Sequence, residues 1–379
     1  MKILVLNYEY PPLGGGAAPV SRDIAAQLKA HGHRVTLLTM GFKDLPEYEV
    51  ENGVEIYRLK CIRKRSDACQ PWEQLSYLLA VRKFMKRHPE LQEYDVCHTH
   101  FVIPTGEVAY YISRKYNIPY IITAHGSDVE GHNKKKSMII MHRILRNSWK
   151  RIVNNSYRVV SPSIYLKKLM ERNNSEGNYV MIPNGIEIQK YTELNDIESK
   201  KKKILVMGRL QRFKNVQTIL EAISKIDMGD WRVEVIGDGP YRQQLEELTE
   251  TLGIADVVAF HGWIRNNSQE QFEFLKEASI YVSASQFENC PMSVIEATLS
   301  GCYPILSDIP AHRQLIEEDR FFFDTNDAND LATKLMKRMN MGIVEFQHNL
   351  DKYSWNNIIP QYEEILKKAK ESYNNAAGI

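Results

Sequence analysis

The chain has 379 residues, 43% of them hydrophobic and 25% charged. That length exceeds one typical domain and sets an expectation of two, in a soluble globular protein. No apolar run approaches the ~20 residues of a membrane span, and a net charge of +2 leaves no reason to expect a nucleic-acid partner.

The five cysteines are odd in number and lack C-x-x-C spacing, which points to a reduced, cytoplasmic protein without structural zinc. Charge is unevenly spread. Residues 1–190 carry 28 Lys+Arg against 18 Asp+Glu, and residues 191–379 carry 21 against 29. A basic first half and an acidic second half suggest two domains with different partners.

Strand-like runs alternate with helical stretches, the pattern of a parallel sheet covered by helices. Residues 2–6 form the first strand and are too short for a signal-peptide core. A turn and glycine loop follow, Tyr10 to Gly16, then a helix from about Ala18 to His31. Residues 34–39, 54–59, 95–99, 120–123, 158–160 and 179–182 read as further strands. Pro183-Asn184-Gly185 breaks the chain, and the polar stretch from Thr192 to Lys203, ending in four lysines, reads as a linker. Residues 203–208 restart the pattern; 231–236, 257–260, 279–282 and 303–306 continue it. Residues 328–370 read as largely helical. Ligands of such sheets bind outside the carboxyl ends of the strands, so the strand ends hold the candidate sites.

At the first strand end, Gly14-Gly15-Gly16 could offer backbone amides to a phosphate or sugar; a plain tight turn is the other reading. A dinucleotide fingerprint fails because the third glycine is missing and no acid ends the second strand. Cys97 to His100 and Thr123 to Asp128 each end a strand. His98 and His100 are taken to face opposite sides of theirs, so no metal site is expected. His125, before a glycine, is better placed to touch a ligand hydroxyl. The stretch from Lys134 to Arg151 is basic and amphipathic. It fits either a helix packed on its own domain or docking on an anionic membrane surface.

In the second half, Arg209 and Lys214 follow the first strand and could both reach an anion. Gly237 and Gly239 could let a ligand approach the backbone, and Trp263 could border a nucleobase. The stretch Ser285 to Ala297 is the most informative. Asn289 or Cys290 is expected at a helix N-cap with Pro291 at the first helical position, leaving the amides of Met292, Ser293 and Val294 as free donors. Glu288 and Glu296 flank them, and carboxylates accept well from sugar hydroxyls. A phosphate with a polyol on either side, a nucleotide-sugar, matches that arrangement; an ordinary strand–loop–helix with surface acids also does. No nucleophile elbow supports a hydrolase.

Taken in order, these motifs resemble glycosyltransferase family 4, the group 1 glycosyltransferases of GT-B fold. The resemblance rests on Pro11 to Gly16, Thr123 to Gly126, Ser161 to Ser163, Ile182 to Ile186, Gly208-Arg209-Leu210 with Lys214-Asn215, and Gly237 to Pro240. Glu288 and Glu296, Ser307 to Pro310 and Tyr353-Ser354-Trp355 complete it. The departures are Cys290 and Pro291 where the family usually has Phe and Gly, and Glu187 where it usually has Asp. The resemblance implies an α/β protein of two doubly wound Rossmann-like domains facing across a cleft. An acceptor-binding domain would span residues 1–190 and a donor-binding domain 191–350, with a terminal helix, 351–379, crossing back onto the first. It implies a retaining, metal-independent transfer of a hexose from a UDP- or GDP-linked sugar to a saccharide or lipid-linked acceptor, without cofactor. Arg209 and Lys214 would neutralise the diphosphate, Glu296 hold the ribose, Glu288 hold the donor sugar and His125 touch the sugar. The alternatives are a nucleotide-sugar epimerase of the same fold and a non-catalytic scaffold.

Overall fold

Runs apolar at every residue, such as Ile3-Leu4-Val5-Leu6 and Ile204-Leu205-Val206, must be buried on both faces, and parallel sheets sandwiched between helices do that. The computed structural model describes residues 1–66, 68–132 and 136–377. The chain divides into two compact units: Met1–Gly185 with the segment from Trp355 onward, and Ile186–Ser354.

The first unit holds strands β1 (Lys2–Leu6), β2 (Arg34–Met40), β3 (Tyr48–Glu51), β4 (Val54–Leu59), β5 (Val96–His100), β6 (Tyr120–Thr123), β7 (Arg158–Ser161) and β8 (Tyr179–Met181). They form one sheet in the order β3-β4-β2-β1-β5-β6-β7-β8, parallel except for the antiparallel β3–β4 pair. The terminal helix, Trp355–Ala377, belongs to this unit. Its buried side chains Ile358, Ile359, Tyr362, Leu366 and Ala369 pack in one cluster with Ile3, Val5, Ile121 and Val160 of the sheet. Burial of each such aliphatic side chain stabilises by about 1.5–3 kcal/mol.

The second unit holds β9 (Lys201–Met207), β10 (Arg232–Ile236), β11 (Val258–Gly262), β12 (Ala278–Ser283), β13 (Tyr303–Ser307) and β14 (Phe322–Phe323). They make a parallel sheet ordered β11-β10-β9-β12-β13-β14.

One expectation is corrected. The polar stretch from Thr192 is folded rather than a linker, because its charges find partners. Lys200 is buried, its ammonium donating to the carbonyls of Leu275 (3.0 Å) and Ser300 (2.6 Å). Lys203 pairs with Glu234 and Glu277, so β9 begins inside the lysine run. Residues 328–370 are largely helical, as expected, in the helices Ala328–Asn340 and Trp355–Ala377 with an irregular segment between them. Strands β3 and β14 were not expected. One is polar and exposed on alternate residues, and the other is two residues long.

Candidate functional site

In the second unit the strand order reverses beside β9. From β9 the chain runs outward through β10 to β11, then returns to β12 on the opposite side of β9. Loops that leave adjacent strands in opposite directions open a crevice at the strands' carboxyl ends. The β9 and β12 loops carry Arg209, Lys214, Glu288 and, one helical turn on, Glu296.

After β9 the chain turns at Gly208 (φ 151°) and Gly237 follows β10 at φ 134°. A Cβ at Gly237 would lie 1.9 Å from the Gly208 carbonyl oxygen. The backbone that approaches Gly237 is therefore that of Gly208, and the Gly237 N–H is bonded to the Gly262 carbonyl at 2.7 Å. The expectation that Gly237 leaves its backbone open to a ligand is corrected on that ground. Arg209 is exposed and lines a small cleft with Lys214, Ser285 and Ser293. Lys214 ends a short turn, after which Asn215, left-handed at φ 58°, starts the helix Val216–Ile223. Its side-chain amide donates to the Thr325 carbonyl at 2.9 Å.

The two loops are tied together at three points. The Gln286 N–H donates to the Phe213 carbonyl at 2.8 Å. The rings of Phe213 and Phe287 stack 4.4 Å apart. The Lys214 ammonium pairs with Glu288 Oε1, which also accepts from Ser285 Oγ at 2.7 Å. Behind the loop, Ser307 Oγ donates to the Ser285 carbonyl at 2.6 Å, and His312 Nδ1 lies 2.8 Å from the Ser307 carbonyl. Burial holds the His312 imidazole at about 4, so at neutral pH it is uncharged and donates through Nδ1–H.

The helix after this loop begins one residue later than expected. Pro291 is its N-cap (φ −78°, ψ 82°) and Met292–Leu299 its body. The Met292 N–H is bonded to the Cys290 carbonyl and the Val294 N–H to the Pro291 carbonyl. These two amides are already satisfied by the tight turn, whereas the Ser293 amide makes no backbone hydrogen bond among the described residues. Ser293 Oγ accepts from the buried Tyr281 hydroxyl at 2.8 Å. Glu296 is half-buried and accepts from Gln271 Nε2 at 3.1 Å, near the Tyr191 hydroxyl, which donates to Asn267 Oδ1 at 2.9 Å. Burial pushes the Glu296 carboxyl up to about 7. Asn289 is half-buried in the same loop and Trp263 stands 72% exposed.

The glycine loop and His125 belong to the first unit, where the order reverses between β1 and β5. The Gly14 N–H is taken by the Ser66 carbonyl at 2.8 Å and Gly15 N–H lies 3.5 Å from Glu9 Oε2. Gly16 is the N-cap of the helix Ala17–Ala30, and the space beside Gly15 and Gly16 is open. Gly14 thus serves the turn rather than offering a free amide.

His98 and His100 share a face: their rings are 4.5 Å apart, because residues two apart on a strand point the same way. The expectation of opposite faces is corrected. His100 Nδ1 lies 3.1 Å from His125 Nε2, and Phe101 packs on both His125 and Tyr8. Burial lowers His98 to about 3 and His125 to about 4, so both are neutral at pH 7. Asp128 fixes the His125 segment by accepting from the amides of Val102, His125 and Gly126 at 2.7–3.0 Å.

The basic stretch forms the helix Lys136–Asn154; Lys134 and Lys135 lie outside the described residues. Trp149, Ile152 and Val153 are buried in its own unit, whereas Ile140 (60%) and Ile144 (75%) are exposed. Arg146 and Arg151 are paired with Glu130 and Glu107.

Sequence reasoning missed Ser285, Gln271, Tyr191 and His312 as supports of the two glutamates. Only Ser285 carried a local signal, standing three residues before Glu288. The others come from distant segments.

The model of the glycosyl transferases group 1 matches residues 187–356 and that of glycosyltransferase family 4 matches residues 14–190. The chain is 26% identical to alpha-monoglucosyldiacylglycerol synthase of Streptococcus pneumoniae, over 89% of this chain and 78% of that one. Among solved structures, sucrose-phosphate synthase of Thermosynechococcus elongatus superposes with a TM-score of 0.73 at 18% identity, covering 100% of this chain and 98% of the other. Anabaena Alr3699/HepE in complex with UDP-glucose gives 0.68 at 14%, covering 100% and 99%.

Proposed function

The chain belongs to the group 1 glycosyl transferases of family 4, a GT-B glycosyltransferase, and from that premise we propose that it transfers a hexose, with retention, from a UDP- or GDP-linked sugar to a hydroxyl of a saccharide or lipid-linked acceptor. The observation that carries the donor side is the junction of two strand-end loops at Lys214 and Glu288, with Arg209 beside Lys214 in the same cleft. Support for the donor class comes from the Anabaena relative in complex with UDP-glucose. Support for an acceptor in glycolipid assembly comes from the pneumococcal relative's activity as a glucosyldiacylglycerol synthase.

In this reading a diphosphate enters between Arg209 and Lys214, whose charges stabilise it as it leaves; the Ser293 amide adds one donor at a helix N-terminus. Glu288 accepts from donor-sugar hydroxyls and Glu296 from the ribose. The bond from the anomeric carbon to the diphosphate oxygen breaks as the acceptor oxygen bonds to the same face. The acceptor proton passes to the departing phosphate. Two fixed cations supply the charge a divalent ion supplies elsewhere, so transfer is expected to continue in excess EDTA. His125, neutral and held by His100 and Asp128, serves as a hydrogen-bond partner rather than a base. The epimerase and scaffold alternatives have no observation in their favour.

The test is a thermal-shift screen against UDP, GDP, ADP and their common sugars. Ligand binding to the native state raises the melting temperature, about 2.7 kcal/mol of stabilisation at a hundredfold excess over Kd. One nucleotide giving a clear shift that Lys214→Ala abolishes supports the reading, and its absence with every nucleotide overturns it. Incubating the shifting sugar with glycolipid acceptors and reading the anomeric configuration of the product tests retention. We also propose that the protein works at an anionic membrane surface through the exposed face of the Lys136–Asn154 helix. Flotation with anionic but not neutral liposomes is the expected result.

A further inference from the structure

A cavity of about 630 Å³ lies within the first unit, at the carboxyl ends of β1, β5 and β6. Its apolar wall is built by Tyr8, Ile103, Met138, Met141, Leu145 and Trp149. It adjoins the His125 segment, since Tyr8 packs on Phe101 and Phe101 on His125.

Its charged groups and its indole are already engaged, while Gln74, Ser127 and Ser137 line it as well. The carboxylate of Asp128 is taken by three backbone amides. Glu130 is taken by Arg146, and His142 Nε2 by the Ser127 carbonyl. The Trp149 indole N–H donates to the Asp128 carbonyl at 2.9 Å. A saccharide filling this cavity would find the charged groups already committed and would set hydroxyls against the apolar wall, where an unpaired polar group is expensive. A hydrocarbon chain asks for none. If a methylene takes about the volume of a water molecule, ~30 Å³, the cavity holds roughly twenty carbons, the length of one acyl chain.

The helices that bound the cavity each carry a further row of exposed apolar residues. Ile140 and Ile144 lie on one; Trp72, Leu75 and Leu79, each more than half exposed, lie on the helix Pro71–Arg87. Rows of this kind beside cations suit insertion into the headgroup boundary of a bilayer, the place from which an acyl chain would be drawn.

We propose that this cavity seats one acyl chain of a glycerolipid acceptor, so that the acceptor is an amphiphile whose hydroxyl is presented beside His125. The inference rests on the glycosyltransferase reading for its role in transfer, but not for the binding itself.

The experiment is binding of n-alkyl glucosides, from butyl to dodecyl and each below its micelle concentration, to the whole protein by calorimetry, alongside the nucleotide thermal shift on the same preparations. Affinity is expected to rise steadily with chain length. Leu145→Trp, which fills the cavity, is expected to lower dodecyl affinity at least tenfold and transfer to dioleoylglycerol vesicles likewise, leaving the nucleotide shift intact. If Leu145→Trp does not fold, Met141→Trp carries the same test. Affinity independent of chain length, or unchanged in the filled variants, overturns the proposal. So does tighter binding of geranylgeraniol than of an alkyl chain of equal carbon count. A missing nucleotide shift with intact alkyl binding would instead count against the donor reading alone.

Discussion

Glu288 and Lys214 neutralise each other in the ligand-free protein, yet each is reserved for a different part of the proposed substrate. Their removal therefore has distinguishable consequences. Lys214→Ala takes away a diphosphate contact, and both the nucleotide thermal shift and transfer should fall. Glu288→Ala removes a contact to the sugar while leaving the lysine free for phosphate. The nucleotide shift should persist, and transfer should drop by about 10²–10³, the usual cost of one preorganised polar contact to a transition state. Equal loss of the nucleotide shift in both variants would show that the two residues act as one structural pair.

Glu296 adds a pH dependence whose sign can be worked out. Its carboxyl is raised from 4.5 to about 7, so the folded protein favours the protonated form. Its contribution to stability is fully present below pH 4.5 and is lost as pH rises through about 7. Ribose hydroxyls prefer the ionised acceptor, so affinity for a nucleotide sugar should increase from pH 6 to pH 8, with proton release on binding. Glu296→Gln should bind more weakly at pH 8 and lose this dependence; calorimetry in two buffers checks it.

At the scale of elements, the donor-side crevice depends on close approach of backbones. The β9 and β10 ends meet at Gly208 and Gly237, and no side chain fits between them. Gly237→Ala combines a left-handed φ with a collision against a carbonyl oxygen. It should destabilise the protein by about 1–3 kcal/mol from backbone strain alone, read as a lower urea midpoint, while a neighbouring Asp238→Ala should not. The alternation of strand and helix follows from the runs of aliphatic residues and the loops between them, whereas the points of strand-order reversal are set by how the strands assemble. The one-residue displacement of the helix start at Pro291 was not legible. It depends on the ψ of Pro291 and on where the Met292 and Val294 amides find carbonyls.

At the scale of the whole molecule, the terminal helix is remote in sequence from the unit it completes. Gly185 leaves room for Trp355, whose ring would lie 2.3 Å from a Cβ at that position. Ending the chain at Ser354 would expose Ile3, Val5 and Ile121 to water, and the first unit should melt well below its normal temperature. The second unit, Ile186–Ser354, is continuous and has its own core. Expressed alone, it should fold and retain the nucleotide shift, since Arg209, Lys214, Glu288 and Glu296 all lie within it.

The sequence by itself determined the two-unit α/β plan and the family. Those depend on local patterns: apolar runs that demand burial, glycines at strand ends, and acids and bases at fixed spacing along one segment. Tertiary structure alone decided what surrounds each of those groups. That Glu296 is half-buried beside Gln271, that His100 stacks on His125, that the lysine run is paired and folded, and that a largely apolar cavity adjoins the His125 segment are all results of segments far apart in the chain meeting. Burial and hydrogen-bond partnership are properties of those meetings, and no local spacing encodes them.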